Sequence, residues 1–197
     1  MKSLKEQRRV EIIEAAIKVF GEHGYYKGKV EKIAEEAGIG KGTVYEYFSS
    51  KKEIFQQMLK HVFETYIEEA KNTASKKNSV RDKFIALLNY HWNFISLHIN
   101  AMEQIFFQFK NISDEINPYI VQSHKIMVDF LSEIITEGIK TGEIRANIDK
   151  EKAALIMLGV IASSNFMRYF SKNREYGDID AECVVDVLFE GLKASRQ

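Results

Sequence analysis

At 197 residues and 45% hydrophobic content, the chain is long enough to bury a sizeable core, as one large domain or as a small one joined to a medium one. Its 28 basic and 28 acidic residues cancel, so no global charge draws it to nucleic acid or membrane, and any polyanion must be met by locally placed cations. The lone Cys183 excludes a disulfide framework within the chain and suits a reducing cytoplasm, with a plain packing role for the thiol.

Met1 to Arg9 is basic but runs into an amphipathic pattern without an apolar core or a small-residue cleavage site, so no secretory leader is expected. The longest apolar run, Ala153 to Ala162, is broken by Gly159 and falls short of the roughly 20 residues a membrane span needs, so no membrane partner is expected. Proline occurs once, at Pro118, and no period-two alternation bounded by hairpin turns is visible; the spacing predicts an all-α chain.

Ile12, Ile13, Ala16, Ile17 and Phe20 mark the buried face of a first helix that ends between Gly21 and Gly24. Val30, Ile33, Ala34 and Ala37 form a shorter second stripe that stops at Gly38. A third helix fits between Gly40 and Phe48, with Val44 and Phe48 inward. Ser49 or Ser50 then caps a long helix from Lys51, with Glu53 in its first turn, where the helix dipole favours a carboxylate. After the polar break "ASKKNS" at 74 to 79, helices are expected from Val80 to His98 and from Ala101 to Lys110, then from an Asn117 N-cap and Pro118 to Gly142. Asp149 caps the next, and Asp178 or Asp180 starts the last. Three short helices before longer ones suggest a small head, residues 1–49, on a larger helical body, residues 50–197.

The stretch "AGIGKGTVYEYF" raises a nucleotide-loop question and answers it negatively. A phosphate-binding loop needs Gly, four residues, then Gly-Lys-Ser/Thr, but Gly42 follows Lys41 here, and no strand precedes the glycines. A helix-turn-helix fits better, because Gly38 can take positive φ in a tight turn between two short amphipathic helices. With Val44 and Phe48 inward, Lys41, Thr43, Tyr45 and Tyr47 project from the third helix. These are a cation, hydroxyls and rings that suit guanine acceptors, phosphates and thymine methyls. Gly40 and Gly42 allow a close backbone approach, and Lys51 adds a cation beside a helix amino terminus that itself favours phosphate.

The run "FGEHGYYKGKVEKIAEEAGIGKGTVYEYFSSKKEIF", Phe20 to Phe55, closely resembles the DNA-binding domain of TetR-type (tetracycline repressor-like) transcriptional regulators, with "HGY", "IAEEAGI", "KGTVYEYF" and "SKKEIF" in one order and spacing. Further along, only the helical layout and "GIKTGEIRANID" at 138 to 149 are similar to such proteins. The resemblance implies a ligand-responsive regulator, a repressor rather than an enzyme, with double-stranded palindromic operator DNA as partner. It implies groove-facing Lys41, Gly42, Thr43 and Tyr45, and phosphate contacts from Tyr47 and Lys51. The family usually opens its second helix with two threonines; Gly28 and Lys29 stand there in this chain, so Lys29 is left to make the phosphate contact by charge. Glu46 is expected to face solvent in preference to accepting from a cytosine amino group.

For the body, the resemblance implies a cavity for a hydrophobic small-molecule effector, a drug-like cation or a fatty-acyl group. Its candidate lining is Phe84, His91, Trp92, Phe94, His98, Met102, Phe106, Tyr119, Met127 and Phe166; the alternative is a closed aromatic core with no effector. His91 and His98 lie two turns apart on one face, too far to share an ion, so no metal is expected. No nucleophile, base and orienting group can be assembled from spacing, and no cofactor is implied. Ile156, Val160 and Ile161 follow one helix face, and Val184 and Leu188 another. Paired across a two-fold axis these stripes would form a four-helix bundle. The resulting homodimer would hold two recognition helices roughly 34 to 36 Å apart, the spacing of successive major grooves.

Overall fold

The computed structural model describes residues 3–170 and 180–190, with side chains described at 3–98, 118–162 and 180–190. Seven α-helices account for nearly all of this: α1 (Leu4–Lys27), α2 (Val30–Glu36), α3 (Lys41–Tyr47), α4 (Lys51–Ser75), α5 (Val80–Thr141), α6 (Lys150–Phe170) and α7 (Ala181–Glu190). No strand occurs among the described residues. No helix is long and apolar enough to cross a membrane, again among the described residues.

Local chemistry starts and stops these helices. Ser3 and Glu6 form a reciprocal capping box on α1, the Glu6 N–H donating to Ser3 Oγ at 3.2 Å and the Ser3 N–H to Glu6 Oε2 at 2.7 Å. At Gly24 the backbone leaves helical geometry, with φ 71° and ψ 172°, and a short helical continuation carries the chain to Lys27. The stop expected before residue 25 is thus a kink inside one helical run. Ser50 Oγ accepts from the Glu53 N–H at 3.1 Å and opens α4, Asp149 Oδ1 accepts from two amides at the start of α6, and Asp180 Oδ1 accepts from the Glu182 N–H at 3.0 Å at the start of α7.

The segment 80–141 departs from the expected three helices. It is helical throughout, through Asn117 and Pro118. A straight rod of 62 helical residues would reach about 93 Å. Yet the Lys83 ammonium pairs with the Glu137 carboxylate, and the Val80 N–H donates to Glu143 Oε2 at 2.8 Å. The run therefore turns back on itself, and its two ends lie side by side as separate helices would. Asn117 and Pro118 lie inside the helical run where the sequence suggests a cap, and proline there removes a ladder hydrogen bond and favours a kink.

The chain divides into two compact units, Met1–Tyr66 with His98–Ser123, and Ile67–Leu97 with His124–Gln197. In the first, one apolar cluster joins Ile12, Ala16 and Phe20 of α1, Ile33 of α2, Val44 of α3, Phe48, and Ile54 and Phe55 of α4, all essentially buried. Phe20 sits at its centre, edge-on to Phe55 with ring centroids 5.4 Å apart and 6.0 Å from Tyr25. In the second, Phe84, Leu88, Leu131, Ile135, Ala154 and Val185 are buried, and Phe84 meets Phe189 of α7 with centroids 5.9 Å apart. Arg81 reaches Asp186, joining α5 to α7.

Candidate functional site

The first unit builds a helix-turn-helix from α2 and α3. Gly38 between them takes φ 67°, where a side chain would be strained, and its carbonyl-side neighbour Ile39 returns an N–H to Ala34 O at 2.9 Å, closing the turn. With Val44 fully buried and Phe48 1% exposed, α3 is held by one face. Lys41, Gly42, Tyr45 and Glu46 are exposed on the rest of it, and Thr43 and Tyr47 are half-buried. Nothing lies within 4 Å of where a Gly42 side chain would begin, so that flank of α3 is open to a close approach. Gly40 takes the N-cap position, with no side chain to bond the first amides.

The cations of this surface differ in how they are held. The Lys41 ammonium lies 2.7 Å from Glu31 Oε1 on α2 and 5.9 Å from the Tyr45 ring. The hydrogen bond between them raises the Lys41 pKa and lowers that of Glu31. Lys51 donates to Tyr26 O at 3.0 Å and lies 4.9 Å from the Tyr25 ring, and burial lowers its pKa. That lysine braces the end of α1 against the start of α4 as well as adding charge. Lys29 is exposed at the N-cap of α2 and makes no capping bond.

Gly28 beside it is buried for a steric reason. A Cβ there would stand 2.6 Å from Phe20 Cδ1 and 2.9 Å from Gly24 O, so the ring at the core's centre takes the space a threonine would need.

Two residues of this surface are invisible to sequence reasoning. Arg9 of α1 donates from Nη1 to Tyr47 O at 2.6 Å, lies 4.4 Å above the Phe48 ring and reaches Glu53 at 3.9 Å, fixing the carboxyl end of α3 to both flanking helices. Glu31 holds the lysine expected to face DNA. The partners are 38 and ten positions away in sequence, and no periodicity or local motif signals either pairing.

The second unit contains a cavity of about 570 Å³. Phe84 and Ile135 of α5, Ile144 and Ile148 of the following loop, Ala153, Ile156 and Met157 of α6, and Leu188 and Phe189 of α7 form its apolar walls, with Glu143, Arg145 and Glu190 as charged lining. Of the expected effector contacts, Phe84 is on this wall. Trp92 and Met127 are buried in the same unit, and Phe94 is half-buried against Tyr90 at a centroid distance of 6.2 Å. His91 is largely buried, which pushes its pKa down to about 4, and His98 is half-buried. Tyr119 packs against the apolar cluster of the first unit. Met102, Phe106 and Phe166 lie outside the described side chains.

Of the expected self-association contacts, Ile156 is 60% exposed while also lining the cavity, and Ile161 is buried at 4%. Val160, Val184 and Leu188 are half-buried. Leu155 at 46% and Val187 at 48% add large apolar side chains to the exposed surfaces of α6 and α7.

Residues 12–58 match the family model described as bacterial regulatory proteins of the tetR family, and residues 55–176 match the model of the YsiA-like protein C-terminal region. The chain is 29% identical over 157 residues to the fatty acid metabolism regulator protein of Bacillus subtilis, an alignment spanning 80% of this chain and 81% of that one. A crystal structure of the transcriptional regulator FadR from Bacillus subtilis in complex with stearoyl-CoA superposes with a TM-score of 0.67 at 26% identity, over 92% of this chain and 95% of that one. A TetR-family regulator from Cytophaga hutchinsonii shares the fold over the full length of both chains, with a TM-score of 0.80 at 19% identity.

Proposed function

Because this chain belongs to the tetR family of bacterial regulatory proteins, we propose that it is a cytoplasmic repressor that binds palindromic operator DNA as a homodimer and leaves it on binding a long-chain acyl thioester. Residues 1–49 read the operator, and residues 50–197 hold the effector and the second subunit. One observation carries the DNA reading: α3 is held on one face by Val44, Phe48 and Tyr47 and leaves Lys41, Gly42 and Tyr45 exposed on a helix whose carboxyl end is fixed by Arg9. Lys41 suits guanine O6 and N7, the Tyr45 ring suits a thymine methyl, and Thr43, Tyr47, Lys29 and Lys51 suit phosphates.

The effector class is supported by the B. subtilis relative's name and by the stearoyl-CoA complex of B. subtilis FadR. It is also supported by the 570 Å³ cavity, a volume typical of ligand sites, which favours an effector over a closed core. Its apolar walls suit an acyl chain, and the exposed Arg145 supplies a cation for an anionic head group. The apolar side chains exposed on α6 and α7, Leu155, Ile156 and Val187, suit a second copy of the chain. Release needs a differential affinity: the acyl compound must bind better to the arrangement of α4 that mis-spaces the two copies of α3.

The test is fluorescence anisotropy of the full chain on duplex DNA from upstream of its own gene, in a salt series, with sedimentation velocity giving the mass of the complex. Lys41→Ala is expected to lower operator affinity by roughly tenfold, from a bidentate base contact worth about 1–3 kcal/mol, and Tyr45→Ala to lower it by less through loss of an apolar contact. Stearoyl-CoA is expected to release the wild-type complex, and free CoA is not. Binding that matches random DNA, unaltered by both substitutions, would overturn the reading of α3. Retention of operator by a stearoyl-CoA-saturated protein would overturn the effector.

A further inference from the structure

The lysine that faces DNA in this reading is already occupied by an internal acid. Lys41 opens α3, Glu31 lies in the first turn of α2, and their charged atoms are 2.7 Å apart with about half of each side chain exposed. The neighbouring ion pairs of the head do something else. Lys18 with Glu36 ties α1 to α2, and Lys32 with Glu35 lies within α2; neither touches α3. Lys41 also lies along the surface, near the Tyr45 ring, not straight out from it. The Glu31 carboxylate therefore stands in for a nucleic-acid oxyanion at the one cation of α3.

We propose that Glu31 is an affinity-limiting residue: it holds Lys41 against α2 on unrelated DNA and yields it only where an operator base offers a better set of acceptors. The proposal rests on α3 being the recognition helix. On an arbitrary duplex Lys41 gains a phosphate only by giving up a carboxylate, an exchange of one oxyanion for another that releases fewer counterions than a free lysine would. A guanine in the major groove presents two acceptors, O6 and N7, to the same ammonium, so there the exchange is favourable.

The consequence is a brake on affinity. Removing the carboxylate strengthens binding to all DNA, and it strengthens the operator at least as much as unrelated DNA, because on the operator the pair is always broken and its whole cost is recovered. The tyrosine and threonine of the same face carry no charge and cannot act in this way, so the effect passes through Lys41 alone.

The experiment is a double-substitution cycle on the full-length protein: wild type, Glu31→Gln, Lys41→Ala and the pair. Each is titrated by anisotropy on a duplex selected from a random pool by the wild-type protein, and on an unrelated duplex of equal length, across a salt series. Glu31→Gln is expected to tighten binding to the unrelated duplex by roughly threefold, the scale of an exposed ion pair. The salt slope steepens by about 0.9, one added phosphate contact. The selected duplex gains at least as much, so the ratio of the two affinities does not fall. In the Lys41→Ala background the same substitution changes nothing. Glu31→Asp, which keeps the charge but withdraws the oxygens by one methylene, moves affinity in the same direction and by less.

An undiminished Glu31→Gln effect in the Lys41→Ala background would overturn the proposal in favour of general repulsion, and so would unrelated-duplex affinity unchanged in Glu31→Gln. A wild-type protein that selects no sequence would instead overturn the operator reading, while the unrelated-duplex cycle still decides whether Glu31 restrains Lys41.

Discussion

The two compact units solve their packing in opposite ways. In the first, four helices close on Phe20, Phe48, Phe55 and Val44 with no space left over, to the point that Gly28 has no room for a Cβ. All the chemistry is then displayed on the outside, on a helix held by one face. In the second, the helices surround a cavity of about 570 Å³, and α6 and α7 expose Leu155, Ile156 and Val187. A closed core keeps recognition side chains in register, which base reading demands, because a bidentate contact tolerates little displacement. An open body can exchange one occupant for another, which a response to a small molecule demands.

The contrast breaks most severely at its centre. Phe20→Ala removes a ring that contacts Tyr25 and Phe55 and leaves a void that no neighbour can fill, so the first unit is expected to lose about 3–5 kcal/mol. Denaturant unfolding followed by tyrosine fluorescence measures this, and a loss below about 1 kcal/mol would mean the core is looser than its burial indicates.

In the second unit, His91 is expected to respond to mild acid. Burial depresses the His91 pKa to about 4 from an ordinary 6.5, so the unfolded chain takes up the proton first. Stability from this group is intact above pH 6.5, falls as pH drops toward 4 and is then constant, a loss on the order of 3 kcal/mol. Urea midpoints of wild type and His91→Gln at pH 7 and pH 4.5 isolate the effect, since the carboxylates common to both cancel. Parallel pH profiles in the two proteins would show that His91 titrates normally.

The smallest expected effect sharpens the comparison best. Family resemblance makes Gly28→Thr look favourable, since the family usually opens its second helix with threonines. The structure predicts a loss of about 1–3 kcal/mol, because the new Cβ meets Phe20 and, at 2.9 Å, the Gly24 carbonyl oxygen, which cannot rotate away. A thermal midpoint equal to or above wild type would show that the first unit yields where it looks full.

Much of this was legible in the sequence because the signals are local. The stripe of Ile12, Ala16 and Phe20, the Ser50, Asp149 and Asp180 caps, and the positive φ of Gly38 each depend on residues within a few positions. Order and spacing of "IAEEAGI" and "KGTVYEYF" sufficed for the family. Three features escaped for one shared reason, which is that they join residues far apart in the chain. Arg9 meets Tyr47, Lys83 meets Glu137 within what is helical from end to end, and Phe20 forbids a side chain at Gly28. Of the expected effector contacts with described side chains, Phe84 lines the cavity, and the loop residues Ile144 and Ile148 with Ala153 and Met157 complete its walls, residues that the aromatic pattern of α5 does not point to.

By itself, then, the sequence determined an all-helical chain, the starts of α4, α6 and α7, the turn at Gly38 and the exposed side chains of α3, since periodicity and capping are properties of neighbouring residues. Only the tertiary structure decided that the run 80–141 doubles back, that Lys41 is held by Glu31 and Lys51 by Tyr26 O, and where the body is hollow. Those outcomes depend on which helix faces meet and how completely they fill the space between them, and that is a property of the packed whole.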